Sequence, residues 1–256
     1  MSLQKIAFVT GSTDGIGLFT STKLVEKGYK VILHGRSQKR LDAAISSIKS
    51  KFPNASLDSF LCDLQSIENT KAMCDEILKK YDQLDLLINN AGVFLLDRVE
   101  SSDGHEMTFA INVIALYIIT QKLFDVIRKT QNSRVILVSS ISQPSFMDLK
   151  KIEFKENYDG YKSYEYSKLS VAAITFELAD RYKDVWINTL DPGTVNTKML
   201  IISWGRCGIE IEDADNELWL ATNEDLKDVR GKYFVEKCQS KASKQAYDKQ
   251  FRKRFL

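Results

Sequence analysis

Short apolar runs rich in β-branched residues alternate with longer amphipathic stretches along almost the whole chain. Predicted strands lie at residues 6–10, 29–34, 59–62, 84–89, 134–138, 185–190 and 232–236. Predicted helices lie at residues 15–27, 38–51, 66–81, 105–130 and 164–183. This alternation indicates βαβ units, and therefore a parallel sheet with helices on both faces. Right-handed crossovers make such a sheet doubly wound, with ligands at the carboxyl ends of its strands.

The chain has 256 residues, only three prolines and no low-complexity linker, so residues 1–256 are predicted to form a single domain. Two irregular segments interrupt the alternation. Residues 141–163 are an insertion expected to overhang the ligand site, and residues 198–216 are a candidate substrate lid.

Composition narrows the possible partners. The 36 basic and 34 acidic residues nearly cancel, which does not favour nucleic acid. No apolar run approaches the ~18 residues that span a bilayer, and residues 1–5 enter the first strand without a signal-like stretch. A cytoplasmic protein is expected. The basic residues 241–254 predict a solvated surface helix, with weak membrane-surface contact as the alternative.

Four cysteines without paired spacing and two histidines favour neither a disulfide framework nor a metal site. A reducing compartment is therefore expected. His34 and His105 are interpreted as loop or packing residues.

A glycine-rich loop joins the first predicted strand to the first helix. Gly11 permits a sharp turn, Gly15 lets backbone approach a phosphate, and Gly17 allows close helix–sheet packing. The spacing is Gly-x3-Gly-x-Gly, unlike the commoner Gly-x-Gly-x2-Gly. The helix start favours a bound anion such as the pyrophosphate of a dinucleotide. The residues expected to hold it are Gly11, Ser12, Thr13, Asp14, Gly15, Ile16 and Gly17.

The residues after the second and third strands bear on the adenosine end of that dinucleotide. A carboxylate after strand two would bind the ribose of NAD, but Arg36 and Ser37 stand there. The guanidinium of Arg36 suits a 2′-phosphate, so NADP is favoured over NAD; a solvated loop arginine is the alternative. Asp63, followed by Leu64, can accept from the adenine amino group or cap the helix near Ser66.

The fourth strand ends in an Asn-Asn-Ala-Gly turn. Asn90, Ala91 and Gly92 would let backbone pass close to the cofactor and brace the central strand. Asp85 is expected to order the entry of that strand.

Tyr164 and Lys168 are four residues apart at the start of an amphipathic helix, so their side chains share one face. A free phenol has a pKa of about 10. A neighbouring ammonium is expected to lower that pKa toward the range of general acid–base catalysis.

The same Tyr-x3-Lys spacing occurs twice more. Tyr158 and Lys162 straddle Gly160, where a rigid helical turn is not expected. Tyr233 and Lys237 lie on a predicted strand, where four residues span about 13 Å. Only the pair described above opens a long helix.

These motifs, with Ser140 and Pro192-Gly193, follow the order seen in short-chain dehydrogenases/reductases, which the chain resembles over nearly its whole length. The long gap between Ser140 and Tyr164, and the sequence from Asp191 to Val195, resemble the retinol-dehydrogenase-like branch.

The resemblance implies a role for each matching residue. Tyr164 would donate or accept the proton. Lys168 would lower the pKa of Tyr164 and bind the nicotinamide ribose. Ser140, with Ser139 as the alternative, would orient the substrate oxygen, and Asn112 would hold a water that links Lys168 to solvent. Pro192, Gly193 and Val195 would flank the nicotinamide, and Thr197 would reach either its carboxamide or the pyrophosphate.

The resemblance also implies a single Rossmann-like domain with a seven-stranded parallel sheet in the order 3-2-1-4-5-6-7. The expected reaction is NADP-dependent interconversion of a carbonyl and an alcohol. Apolar lid residues favour a lipophilic substrate: Met199, Leu200, Ile201, Ile202 and Trp204. The alternative function is a catalytically silent NADP(H)-binding scaffold or regulatory protein of the same fold.

A homodimer is also possible, because helices near 112–127 and 164–183 pair across a two-fold axis in many members of that family. The residues that would form its interface are Leu116, Tyr117, Leu123, Phe176 and Leu178. The same residues could instead belong to the core.

Overall fold

A computed structural model describes residues 4–256. One sheet has the order β3-β2-β1-β4-β5-β6-β7-β8, and β1 to β7 run parallel. The strands are β1 (Ile6–Val9), β2 (Lys30–Gly35), β3 (Leu57–Leu61), β4 (Leu86–Asn89), β5 (Arg134–Val138), β6 (Trp186–Leu190), β7 (Tyr233–Val235) and β8 (Cys238–Ser240). The predicted doubly wound α/β fold is confirmed.

The helices cover both faces of this sheet. They are α1 (Gly15–Glu26), α2 (Gln38–Lys51), α3 (Ile67–Lys80), α4 (Met107–Phe109), α5 (Leu116–Lys122), α6 (Phe124–Lys129), α7 (Gly160–Arg181), α8 (Lys198–Trp204), α9 (Asn216–Thr222), α10 (Lys244–Tyr247) and α11 (Lys249–Phe255). Within residues 4–256, none of them combines the length and apolar character needed to cross a membrane.

Alternating strand residues build a separate apolar layer on each face of the sheet. Phe8 and Ile32 face the layer that contains α3, α5 and α7, whereas Val9 and Leu33 face the layer that contains α1, α2 and α9. Because both faces are buried, the strands are nearly continuous apolar runs. The sheet's carboxyl edge is thereby held rigidly between two helical layers.

The eighth strand was not predicted. β8 pairs antiparallel with β7 through a tight turn at Glu236 and Lys237, whose φ angles are 48° and 62°. Two successive left-handed residues make the hairpin turn that matches strand twist. Glu-Lys is not the Asn-Gly sequence that usually indicates such a turn.

The helix predicted near 105–130 is present, but it is irregular and divided into shorter pieces. A π-helical stretch, Ala110–Ala115, separates α4 from α5, and α6 begins afresh at Phe124. Asn112 lies inside the π-helical stretch and uses its side chain to bond distant residues. Such π segments widen a helix locally and are frequent at functional sites.

The insertion and the lid also differ from their predicted limits. Helix α7 begins at Gly160 because Asp159 caps it, accepting hydrogen bonds from the amides of Tyr161 and Lys162. The last residues of the 141–163 insertion therefore belong to that helix. The 198–216 segment contains α8, a 3₁₀ turn at Ile211–Asp213 and the start of α9.

The segment predicted as a solvated surface helix, 241–254, forms two short helices, α10 and α11, in place of one. Five of its six basic residues are exposed, whereas Ala246, Phe251 and Arg252 are buried against α7. The apolar residues among the charges attach this surface segment to the domain.

The residues suggested for a dimer interface lie in the core of the single chain. Leu116, Leu123, Phe176 and Leu178 are all buried without a partner subunit, and only Tyr117 is partly exposed. Their apolar character therefore gives no support to a homodimer.

Candidate active site

The glycine loop has the backbone geometry that its spacing predicts. Gly11 and Gly15 have φ angles of 65° and 54°, which glycine alone adopts without strain. A Cβ on Gly17 would lie 2.4 Å from Nδ2 of Asn90 and 2.5 Å from the Gly11 oxygen. Asn90 donates from the same nitrogen to the carbonyl of Thr10 at 2.8 Å. The loop is thus braced by the β4 turn, and α1 starts directly behind it.

His34 supports this loop, a role that the sequence reading missed. The ring lies on β2, and its Nδ1 accepts a hydrogen bond from the Gly11 amide at 3.0 Å. Its Nε2 lies 3.1 Å from the carbonyl of Cys62 and donates to it in the matching tautomer. Burial lowers the pKa of His34 to about 4, so the ring adds no charge beside a phosphate.

Two arginines lie at the end of the cleft next to β2. Arg36 was predicted there, whereas Arg40, in the first turn of α2, was not. Neither guanidinium has an ion-pair partner within residues 4–256. No carboxylate occupies the end of β2, so this corner is suited to an anion.

Asp63 and Leu64 face the same part of the cleft. Asp63 accepts hydrogen bonds from the amide and side chain of Gln65. The cap of α3 is Ser66, whose hydroxyl accepts from the Asn69 amide at 3.2 Å. Ser66 and not Asp63 therefore caps α3, and the contact of Asp63 with an adenine amino group stays a prediction.

Most of the predicted site residues line one cleft of about 510 Å³. Ser12, Ser37 and Asn112 do not line it. Ser12 is turned toward β2, where its hydroxyl accepts from the His34 amide at 2.8 Å. Ser37 precedes α2 without a capping hydrogen bond from its side chain. An extended dinucleotide fits the remaining set, because glycine keeps backbone atoms accessible beside the start of α1.

Tyr164 and Lys168 lie on one face of α7, at the end of the cleft away from the arginines. The Lys168 ammonium is 5.3 Å from the Tyr164 ring centroid and donates to the carbonyl of Val138 at 3.0 Å. Burial lowers the pKa of Lys168 to about 8, while the charges of Asp191 and Glu217 act in the opposite direction. The ammonium is thus held by the end of β5.

The expected lowering of the Tyr164 pKa is not what the structure shows. The ring is partly open to the cleft, but protein surrounds the hydroxyl, and burial raises its pKa; the charge of Asp191 adds to this. The neighbouring Ser140 hydroxyl works in the lowering direction on this pKa without reversing the shift. The phenol is therefore neutral at physiological pH, which is the form of a proton donor.

The two serines after β5 have different surroundings. The hydroxyl of Ser139 is buried and donates to the Lys168 carbonyl at 2.7 Å, joining β5 to α7. The hydroxyl of Ser140 neighbours the Tyr164 phenol and accepts from the Ser142 amide at 3.1 Å. The geometry favours Ser140 as the serine that a substrate would meet.

Asn112 bonds to protein at both ends of its amide. Its Oδ1 accepts from the Val93 amide at 2.8 Å, and its Nδ2 donates to the Val93 carbonyl and the Ser167 hydroxyl, each at 3.0 Å. It therefore does not bond locally, as a helix-interior polar residue would. A water-holding role for Asn112 stays a prediction.

The loop after β6 lines the same cleft as Tyr164 and Lys168. Pro192, Gly193, Val195 and Thr197 all line the cleft. Asp191 orders this loop: one carboxylate oxygen accepts from the Gly193 amide and the other from the Ile141 amide, both at 2.9 Å. One buried acid thus joins the loop after β6 to the loop that carries Ser140.

Glu106 is a second residue that the sequence reading missed. It is fully buried and caps α4, accepting from the amides of Thr108 and Phe109 at 3.0 and 2.7 Å. It also accepts from the hydroxyls of Tyr158 and Ser163 at 3.2 and 2.9 Å. Since Ser163 adjoins Tyr164, this carboxylate anchors the first turns of α7.

We expect Glu106→Ala to lower the free energy of unfolding by about 2–4 kcal/mol, because it removes a helix cap and leaves the buried Ser163 hydroxyl without its partner. Urea denaturation monitored by circular dichroism measures this change. Glu156→Ala, at an exposed position of the neighbouring loop, is the control and should change stability by less than about 0.5 kcal/mol. Equal effects of the two changes would contradict the anchoring role.

Aromatic rings cover the Tyr164 end of the cleft. The Phe94 ring centroid lies 4.5 Å from that of Trp204, 5.1 Å from Tyr161 and 5.6 Å from Tyr164. Phe94 is buried, whereas Trp204, at the end of α8, is 41% exposed. Helix α8 has no buried residue although most of its side chains are apolar. It therefore forms a loosely held apolar cover over the catalytic end.

The family model for short chain dehydrogenases matches residues 5–204. The chain belongs to the short-chain dehydrogenase family. Retinol dehydrogenase 14 from Mus musculus is 29% identical over 257 residues, covering 90% of this chain and 77% of that protein. Polyprenol dehydrogenase from Homo sapiens is 27% identical over 266 residues, covering 96% and 81%. The chain falls in the retinol-dehydrogenase-like branch, as its motifs indicate.

Solved structures of this short-chain dehydrogenase family have the same fold. A short chain dehydrogenase from Shigella flexneri complexed with NADP has a TM-score of 0.75 at 25% identity, covering 90% of this chain and 96% of that one. A Mycobacterium paratuberculosis protein has a TM-score of 0.80 at 21% identity, covering 98% and 90%. The second likeness concerns the fold alone.

Proposed function

We propose that this short-chain dehydrogenase is an NADP(H)-dependent oxidoreductase that interconverts a carbonyl and an alcohol on a lipophilic small molecule. The observation that carries the proposal is one continuous cleft with two unpaired arginines at one end and the Tyr164–Lys168–Ser140 group at the other. The glycine loop lies between them. A dinucleotide laid along this cleft would bring its nicotinamide to the phenol.

When bound, NADPH supplies the hydride or NADP⁺ accepts it, and residues of the chain transfer the proton and stabilise the charge on the substrate oxygen. Tyr164, neutral because of its burial, donates its proton to the oxygen of a carbonyl under reduction. Ser140 hydrogen-bonds the same oxygen and stabilises the negative charge that develops on it. Lys168 holds a positive charge beside the phenol and stabilises the phenolate that is left when Tyr164 gives up its proton.

The preference for NADP(H) over NAD(H) is inferred from the positive charges at one end of the cleft. Arg36 and Arg40 offer planar, permanently charged donors that match a phosphate. The Shigella relative binds NADP, which agrees with this preference. The ribose-binding carboxylate typical of NAD sites is not present after β2.

The proposed substrate class is inferred from the apolar residues that cover the Tyr164 end of the cleft. Phe94, Trp204 and Tyr161 present aromatic surface around the phenol, and Leu200 and Met199 of α8 also line the cleft. An apolar cover excludes water and favours apolar substrates. The names of the relatives, retinol and polyprenol dehydrogenases, describe lipophilic alcohols and are consistent with this class.

The direct test is a panel of aldehydes and ketones of graded size, with loss of NADPH absorbance as the readout. The proposal expects turnover of at least one apolar carbonyl compound. Tight NADPH binding, measured by its fluorescence, without turnover of any compound would support the silent scaffold instead.

We expect Trp204→Ala to raise KM for bulky apolar carbonyls by about tenfold while changing KM for small ones by less than twofold, because it removes roughly one buried aromatic contact from large substrates only. Steady-state kinetics on a matched pair of substrates measures the split. Ile202→Ala is the control, since Ile202 lies on the same helix and is 80% exposed. Equal KM changes for both substrates would exclude a lid role.

A further inference from the structure

The segment from Ala242 to Phe255 lies outside the stretch matched by the family model, yet it is firmly attached to α7. Tyr247 stacks on Phe176 with ring centroids 4.5 Å apart and planes inclined by 16°. Arg252, only 3% exposed, donates to the Asp180 carboxylate at 2.8 Å. The guanidinium is buried while the Asp180 carboxylate is half exposed, so the pair fixes the buried arginine of α11 to the surface of α7. The segment is therefore a fixed platform beside the candidate site.

Gln245, on this platform, holds the loop that follows Ser140 by hydrogen bonds. The side-chain oxygen of Gln245 accepts from the Met147 amide at 2.6 Å, and its nitrogen donates to the Met147 carbonyl at 2.9 Å. One amide side chain thus satisfies both backbone groups of one residue, as a neighbouring strand would. The Met147 side chain is fully buried in the apolar cluster shared with Ala246 and Phe251.

Gln143 makes a second connection at the other end of the loop. Its side-chain oxygen accepts from the Ser243 amide at 2.9 Å. Its nitrogen donates to the Ser140 carbonyl at 2.8 Å and to the Ser139 hydroxyl at 3.2 Å. The Ser140 carbonyl also accepts from the Tyr233 hydroxyl at 2.9 Å. The backbone of Ser140 is thereby fixed from the platform side.

We propose that Gln143 and Gln245 form a clamp through which the platform positions Ser140 for the reaction. This inference rests on the proposed function, and both glutamines are positioning residues. Successive side chains at a strand end point to opposite sides, so a small rotation there would turn the Ser140 hydroxyl away from Tyr164. The loop between β5 and α7 has little regular structure to prevent this, and the clamp supplies the missing backbone partners.

Two variants with one matched control test the clamp. Gln245→Ala removes both bonds to Met147. Gln143→Glu keeps an oxygen for Ser243 but removes the nitrogen that donates to Ser139 and Ser140. Gln250→Ala makes the same change as the first variant at an exposed position of the same platform. Circular dichroism and the melting temperature verify that each chain is folded.

The first readout is hydrogen–deuterium exchange of the intact protein and needs no substrate. Peptides that cover residues 141–147 should exchange at least about tenfold faster in Gln245→Ala than in the control, because an opened hydrogen bond of roughly 1.4 kcal/mol corresponds to that factor. Peptides from β1 and α1 should be unchanged. Unchanged exchange at 141–147 would overturn the clamp.

The second readout is kinetic. Both variants should lower kcat about tenfold, with the NADPH Kd within about twofold of wild type, because misplacement of Ser140 affects the transition state and not the cofactor. Faster loop exchange with unchanged kcat would overturn the positioning role. Absence of turnover by the wild-type protein would overturn the proposed function and this catalytic role together, while exchange would still decide whether the clamp exists.

Discussion

Tyr164→Phe is expected to lower kcat by about 10²–10⁴-fold while leaving the Kd for NADPH within about twofold of wild type. In the proposed mechanism the phenol gives its proton to the substrate oxygen, and Ser140 only hydrogen-bonds that oxygen. Phenylalanine keeps the ring contact with Phe94, so the cleft should keep its shape. Single-turnover absorbance measures the chemical step, and NADPH fluorescence measures binding.

Tyr161→Phe is the matched control for that change. It removes a hydroxyl from the same aromatic cluster, but this hydroxyl meets only the Ser203 carbonyl, at 3.5 Å. Its kcat should stay within about threefold of wild type. A Tyr164→Phe enzyme as active as the Tyr161→Phe enzyme would contradict the assignment of the proton donor.

Removal of the two arginines at the adenosine end should convert a preference for NADPH into near indifference. A hydrogen bond to a charged group contributes about 1.5–3 kcal/mol, so Arg36→Ala or Arg40→Ala alone should weaken NADPH binding about tenfold or more, and the double variant about 100-fold. The Kd for NADH should change little, since NADH carries no 2′-phosphate. Fluorescence titration of the wild-type protein and of each variant, with NADPH and with NADH, gives the Kd values to be compared.

Lys39→Ala controls for the general loss of positive charge, because Lys39 lies between the two arginines in sequence but does not line the cleft. It should alter NADPH binding by less than about twofold. If the double variant still preferred NADPH by the wild-type ratio, the solvated-loop interpretation of Arg36 would hold.

Short-range features of the site were predictable from the sequence. The glycine spacing gives the turn beside α1, and the interval between Tyr164 and Lys168 places both on one helical face. Both depend on backbone geometry within one or two turns. The alternation of elements predicted the parallel sheet, and the family resemblance supplied its strand order. β8 was not predicted, because Glu236 and Lys237 are unusual residues for a left-handed turn.

Long-range features were not predictable. Glu106 meets Tyr158 and Ser163 more than 50 residues away along the chain, and no local pattern indicates such a partner. The direction of the Tyr164 pKa shift was predicted wrongly because spacing indicates the neighbouring charge but not the burial of the hydroxyl. Arg40 was missed although it follows Arg36 by four residues, close to the period of a helix.

The clamp on Ser140 has a consequence for the order in which the protein is made. Gln245 meets Met147 across 98 residues of chain, and Ser243 meets Gln143 across 100. During translation the glycine loop, β1 and α1 emerge and can associate long before these partners exist. The nucleotide half of the molecule can therefore mature on the ribosome, whereas the serine loop acquires its final geometry only after another hundred residues have been synthesised. Contacts of this length slow folding, so catalytic competence should arrive later than the ability to bind nucleotide.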